Sequence, residues 1–199
     1  MENTISLSTA QKLKSPDWLS EWSIDHNTSA IRFSVSQRNL LARPFRKIRG
    51  KFKVYEGLLQ TNSEDFSGAS IHTIIEADSI YTGKKMRDKQ LLSANLLDVE
   101  HFPFLRFRSL SFEKGRENKY ILEGELSIRG VSKRIVIDVI YRHGVNAITG
   151  EITPCFESVF QINRHDYALQ SNMFFEAFIE KEITVQLDLE FVRLPDNIF

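Results

Sequence analysis

The chain of 199 residues balances 26 lysines and arginines against 26 aspartates and glutamates, so no net field draws it to a nucleic-acid backbone. A hydrophobic share of 42% with 26% charged residues fits one globular domain with a sizeable core, and a barrel or sandwich of this length needs no second domain. The single cysteine, Cys155, excludes an intramolecular disulfide and reads as a small buried hydrophobe rather than a nucleophile.

Residues 1–20 form a polar leader with scattered Ile5, Leu7 and Leu13, closed off by Pro16. They lack the continuous apolar stretch of a secretion signal, and no later run approaches the roughly 20 apolar residues of a membrane span. The expected location is cytoplasmic for the sequence as it stands, and periplasmic for a processed form.

From Trp22 onward the dominant period is two, which puts alternate side chains on opposite faces of a strand. Trp22-Ser23-Ile24 opens the series, followed by Ile31-Phe33-Val35, Ile48-Gly50-Phe52-Val54 and Ala69-Ile71-Thr73-Ile75. Leu105-Phe107, Tyr120-Leu122-Gly124-Leu126-Ile128, Ile135-Ile137-Val139-Tyr141, Phe156-Ser158-Phe160-Ile162 and Ile183-Val185-Leu187-Leu189-Phe191 complete about nine strand signals. Turn chemistry at Tyr55-Glu56-Gly57, at 114–118, at Arg129-Gly130 and at Ile148-Thr149-Gly150 predicts antiparallel hairpins. Gly50 and Gly124 fall inside strand runs, which predicts a sharp bend or a close backbone approach. One segment, 83–97, has helical spacing in Leu91, Leu92 and Leu96 and is read as a lid over one barrel end. Met173-Phe174-Phe175 with Ala177-Phe178-Ile179 is assigned to the opposite rim. The expected fold class is therefore all-β, a closed antiparallel barrel of about eight strands with one short helical segment. A sandwich would hide its strand edges equally well, and the Phe-rich inward list with interior glycines favours a barrel enclosing an elongated space.

The chain carries little that points to catalysis. The five histidines lack the spacing of a metal site, so no metal is expected, and no phosphate loop, nucleophile elbow or carboxylate pair occurs. Arg164-His165-Asp166-Tyr167 holds an acid, a base and a phenol; it reads either as an acid–base site on a hydrophobic substrate or as a loop that ends a strand. Arg87 and Asp88 read either as polar groups at a pocket mouth or as a charge pair at a helix start. The basic run over 43–53 reads as a solvated outer face, with contact to anionic lipid as the alternative.

The order of several fragments resembles the YceI-like family of polyisoprenoid-binding, lipocalin-like proteins. Trp22-Ser23-Ile24-Asp25 with Ile31-Arg32-Phe33-Ser34-Val35 is similar to the family's opening, and Gly50-Lys51-Phe52 to its second strand. Ser79-Ile80-Tyr81-Thr82-Gly83 with Arg87-Asp88 and Leu91-Leu92 resembles its Ser-Ile-x-Thr-Gly…Arg-Asp signature, and Gly124 to Lys133 its Gly-x-Leu-Thr-Ile-x-Gly-Val-Thr-Lys segment. Phe102-Pro103 with Phe107-Arg108-Ser109 and the later Phe160-x-Ile162-x-Arg164-x-Asp166 are also similar to family elements, whereas Gln37 stands where the family often carries His. The resemblance spans 22–191 and implies a non-catalytic barrel over 21–193, followed by a tail at 194–199, that stores or carries a long apolar ligand such as a polyisoprenoid or a quinone tail. It implies a cavity lined by Phe33, Val35, Phe52, Val54, Ile71, Ile75, Leu91, Leu92, Leu96, Phe107, Leu126, Ile128, Phe160 and Ile162, with Arg87 and Asp88 at its mouth. No cofactor and no nucleic-acid partner are expected, and a homodimer is compatible with the reading. A solid barrel serving as an interaction module is the remaining alternative.

Overall fold

The computed structural model describes residues 20–38, 45–145, 150, 152–170 and 177–195, so the leader up to residue 19, the Met173-Phe174-Phe175 run and residues 196–199 lie outside the described residues. The strands are β1 (Ser20–Ile24), β2 (Ala30–Arg38), β3 (Phe45–Phe52), β4 (Tyr55–Thr61), β5 (Ser70–Glu76), β6 (Ile80–Tyr81), β7 (Phe104–Lys114), β8 (Lys119–Ile128), β9 (Val131–Val145), β10 (Ile152–Asn163) and β11 (Ile179–Arg193). All pairings are antiparallel. β11 takes β1 and β2 on the same side, β1 through Trp22–Ile24 and β2 through Ala30–Gln37, and this closes the ring. β3 and β4 likewise continue one another, as do β5 and β6, so the strands make eight staves of one closed barrel. Closure gives each stave a neighbour on both sides along at least part of its length, which suits a chain with this many short alternating runs.

Three neighbouring staves are broken at one level. Between β1 and β2 the Asp25 carboxylate accepts the Asn27 amide at 2.9 Å while the Ser29 amide reaches the Asp25 carbonyl at 3.0 Å, a local turn of the kind aspartate favours. Between β3 and β4 the chain steps out at Lys53 and Val54. A 3-10 turn, Ala77–Ser79, separates β5 from β6. The breaks are stitched together: the Tyr55 hydroxyl donates to the Ser29 carbonyl at 2.8 Å, the Lys53 amide to the Ser79 carbonyl at 3.2 Å and the Glu76 amide to the Val54 carbonyl at 3.0 Å.

This arrangement corrects two expectations. The turn assigned to Tyr55-Glu56-Gly57 lies two residues earlier, and Gly57 is inside β4, where the Ile24 side chain occupies the space of a Cβ. The break also interrupts the alternation, so Phe52 and Tyr55 both turn inward and Val54, expected in the wall, is 44% exposed.

Gly50 and Gly124 do mark close approaches. The Phe33 ring from β2 lies over Gly50 of β3, its cross-strand partner, and the Phe107 ring from β7 lies over Gly124 of β8. Arg129 and Gly130 both have positive φ, +51° and +72°, which makes the tight β8–β9 turn with the twist the strands need.

The helix is shorter than its apolar spacing suggests. α1 runs over Lys85–Leu92, and the Ser93 hydroxyl closes it on the Gln90 carbonyl at 2.7 Å, in competition with the next helical turn. Residues 94–97 continue as turns that bring Leu96 and Leu97 under cover.

The barrel interior divides in two. Toward the β1 end Phe66, Phe112, Tyr120, Phe156 and Phe191 form an aromatic plug, with Phe112 stacked on Tyr120 at 4.8 Å and Phe156 edge-on to Phe66 and Phe112 at 5.6 Å. Toward the α1 end the buried residues are smaller and more aliphatic, among them Ala77, Ile80, Leu97, Leu105, Ile128 and Ile162.

One wall is less tightly sewn. Among the described residues the β9–β10 ladder stops at Glu157 opposite Ile140, although β9 begins at Val131 and β10 continues to Asn163. Past that point a side-chain bond bridges the two strands, from the Ser158 hydroxyl to the Asp138 carbonyl at 2.6 Å.

Candidate functional site

Between the plug and α1 lies a cavity of about 220 Å³ whose wall is almost wholly apolar. At roughly 10–15 Å³ per water-sized group, it houses on the order of fifteen to twenty non-hydrogen atoms. The interior is thus neither solid throughout nor hollow throughout.

The structure sets Phe33, Val35, Phe52, Ile71, Ile75, Leu91, Leu96, Phe107, Leu126, Ile128, Phe160 and Ile162 around this space. Val54 is outside it for the reason given above. Leu92 is outside it too: it follows Leu91 by 100° of helical turn and packs against the aliphatic cluster at the α1 end. The site-residue reading omitted the inward face of β11, from Ile183 through Val185, Leu187 and Leu189 to Phe191, and Ile135, Ile137 and Val139 of β9, all of which also line the cavity. The same period-two pattern carried the signal for these positions.

Arg87 and Asp88 do not line the cavity. Asp88 accepts from the Thr82 amide at 2.9 Å and from the Thr82 hydroxyl, while Arg87 donates to that hydroxyl at 2.8 Å and to the Thr82 carbonyl at 2.7 Å. Gly83 follows at φ +75°, a conformation costly for any side chain. The Thr-Gly…Arg-Asp signature is thus a knot that fixes where α1 starts.

The acid, base and phenol of 165–167 do not converge. His165 and Asp166 are exposed on a 3-10 turn, Arg164–Tyr167, while Tyr167 is 2% exposed and faces the apolar cluster. Its hydroxyl has no partner among the described residues, and burial pushes its pKa up to about 12. None of the three borders the cavity. Cys155 is half-buried and its thiol is pushed up by burial, then by Glu190, which is unsuited to a thiolate nucleophile.

The residue of this segment that does reach the wall is Arg164, 3% exposed and next in the inward series after Phe160 and Ile162. Its guanidinium donates to the carbonyls of Leu169 at 2.8 Å, Ile179 at 3.2 Å and Glu180 at 3.2 Å, tying the end of β10 to the start of β11. A second arginine straps the mouth from outside: Arg129 donates to the Ala168 carbonyl at 2.5 Å and to the Ala94 carbonyl at 2.6 Å, joining the turn after β10 to the turns after α1.

A closed eight-stave barrel with a one-helix cover and the Thr82 knot sits beside a family match over residues 22–191, described as the YceI-like domain. The chain belongs to the YceI-like family. Curated relatives include UPF0312 proteins of Pseudomonas savastanoi pv. phaseolicola, 25% identical over 123 residues, and Serratia proteamaculans, 28% identical over 124 residues. Each of these alignments covers 62% of this chain and 64% of the relative, so the chain spans less than two thirds of their length. Among solved structures, BcnA of Burkholderia cenocepacia superposes with a TM-score of 0.71 at 21% identity, covering 84% of this chain and 98% of that one. A polyisoprenoid-binding domain from Saccharophagus degradans, implicated in plant cell wall breakdown, superposes with a TM-score of 0.66 at 16% identity, covering 87% and 98%. At these identities the superpositions speak to the fold of this YceI-like chain.

Proposed function

We propose that this YceI-like chain binds a long apolar molecule of the polyisoprenoid class inside its barrel and performs no chemistry on it. The observation that carries the proposal is the cavity wall, drawn from all eight staves and apolar apart from a few groups such as Thr73, Ser158 and Arg164. The likeness to the polyisoprenoid-binding domain of Saccharophagus degradans supports the ligand class.

Affinity comes from length and dryness. Burying roughly fifteen to twenty methylene-sized groups at about 0.8 kcal/mol each gives about 12–16 kcal/mol, which leaves micromolar-class binding, about 8 kcal/mol, after an ordering cost of about 4–8 kcal/mol. A ligand of about three to four isoprene units matches the space, by the same packing of roughly 10–15 Å³ per group. A longer chain has to displace side chains or leave through the mouth.

Phe107→Trp and Ile128→Trp test the reading, because each puts a larger ring into the bore. The isoprenoid alcohol retinol, which fluoresces in apolar surroundings, is a suitable probe. Both variants are expected to weaken retinol binding by about tenfold or more while keeping the β-sheet circular dichroism of the parent. Wild-type affinity in both would refute the proposal, as would failure of the parent to bind any isoprenoid and to release any on organic extraction.

A further inference from the structure

We propose that the outer face of β3 together with the lid helix α1 docks on an anionic lipid bilayer, the source from which the cavity is filled. This rests on the apolar-carrier reading above.

The charge balance of the whole chain hides a strong local asymmetry. Lys47, Arg49 and Lys51 occupy the outward positions of β3, with Arg46 and Lys53 on either side of them, and all five are exposed with no acid interrupting them. Their cross-strand neighbours on β2 offer no counter-charge: Lys47 faces Ser36, Arg49 faces Ser34, and Lys51 faces Arg32, which is itself engaged by Asp188. Among the described residues none of the five makes an ion pair, and Lys53 instead sits 4.0 Å over the Tyr81 ring. Among the described residues the ladder on the far side of β3 covers Lys51 and Phe52 only, to β6, so over 45–50 the basic stretch is paired on its β2 side alone.

The chain leaves β6 directly into the Thr82 knot and α1, which adds exposed Lys84, Lys85 and Lys89. The one acid of α1, Asp88, is held by Thr82. Met86, at 89% exposure, stands among these lysines as an apolar side chain that none of the described residues covers. A basic face with one projecting thioether, on the element whose Leu91 closes the cavity, has the chemistry of a surface that seats on anionic headgroups and reaches into the acyl boundary. The attraction is local and falls with salt over a Debye length of about 10 Å at 0.1 M.

Charged residues also guard an open strand edge against pairing with another chain, and that role needs charge of either sign. The combined variant Lys47→Glu, Arg49→Glu, Lys51→Glu separates the two, because glutamates guard the edge and are repelled by anionic lipid. None of the three side chains borders the cavity. Sedimentation with phosphatidylcholine vesicles, with and without phosphatidylglycerol, is the measurement. The parent is expected to bind the anionic vesicles alone and to be released by salt, and the variant to bind them at least about tenfold more weakly. The variant is expected to take up free retinol normally and to extract it from anionic vesicles at least about tenfold more slowly. Lys84→Glu, Lys85→Glu, Lys89→Glu on the helix supplies a second variant should the first lose its fold. Equal vesicle binding by parent and folded variant overturns the docking surface, as does equal binding to neutral vesicles. Failure of the parent to bind retinol at all overturns the carrier reading instead, and sedimentation still reads the surface on its own.

Discussion

Gly50 sits beneath the Phe33 ring and Gly124 beneath the Phe107 ring, and in both places the glycine seats an aromatic side chain at the cavity wall. The two seats differ in what surrounds them. At Gly50 the nearest neighbours of an added Cβ are ring atoms of Phe33, whereas at Gly124 the Arg108 carbonyl also lies 2.7 Å away. A smaller side chain relieves a ring clash and leaves a backbone clash in place. Gly50→Ala is therefore expected to cost about 1–3 kcal/mol in urea unfolding, with Phe33→Leu recovering part of the loss in the double variant. Gly124→Ala is expected to cost as much or more, with little rescue by Phe107→Leu. Strictly additive losses at Gly50 would show that ring seating is not what the glycine provides.

At the scale of elements, ladder and strap make different demands. β9 shares its whole N-terminal half with β8, from Val131 opposite Ile128 to Val139 opposite Tyr120, but meets β10 only from Ile140 onward. In an antiparallel strand every second amide points to each neighbour, so half of the amides over 131–139 face a side without a ladder. Amide exchange is expected to alternate between slow and fast over 131–139, where the ladder is to β8, and again over 142–145, where it is to β10, with consecutive slow amides only around Ile140 and Tyr141, where the two ladders meet; uniform protection over 131–139 would contradict the pairing. At the mouth, Arg129→Ala removes both bonds of the strap while leaving the cavity wall intact, so retinol release should quicken several-fold with little change in melting temperature. An unchanged release rate would assign the ligand another way out. These elements also show what was legible in the sequence. Alternation located nine of the strands because inward and outward positions differ in polarity. It missed β4, whose burial alternates without a matching polar pattern in Tyr55-Glu56-Gly57-Leu58-Leu59, and two-residue β6 carries no period at all. The wall residues followed from the same alternation, and Val54 failed where a break inserted two outward residues. Thr82 lies only five and six residues from Arg87 and Asp88, but in a turn where alternation carries no signal, and Arg129 as strap depends on contacts between segments far apart in the chain, which local pattern does not encode.

The whole molecule carries its titration risk on the alkaline side. Burial raises the phenol pKa of Tyr55, Tyr120 and Tyr141, and Tyr167 is carried furthest, to about 12. On the acid side Asp65 is held down at about 2 by the Ser63 hydroxyl, the Ser67 amide and Lys114, but it is a surface group. A tyrosine raised in the folded state is neutral in both states below pH 10, so its contribution is complete there. As the pH climbs from 10 toward 12 the unfolded chain ionises first and gives up its proton, and stability is lost. For Tyr167, 2% exposed, two units correspond to at most about 3 kcal/mol. Its hydroxyl has no partner among the described residues, so Tyr167→Phe removes a buried polar group without orphaning another. At pH 7 the variant is expected to be as stable as the parent or up to about 1 kcal/mol more stable, and above pH 10 its stability should fall less steeply. Urea unfolding at a series of pH values from neutral to strongly alkaline reads both effects together. Parallel stability curves for parent and variant would mean that the Tyr167 hydroxyl finds water in the folded state, and that this part of the barrel interior is wet.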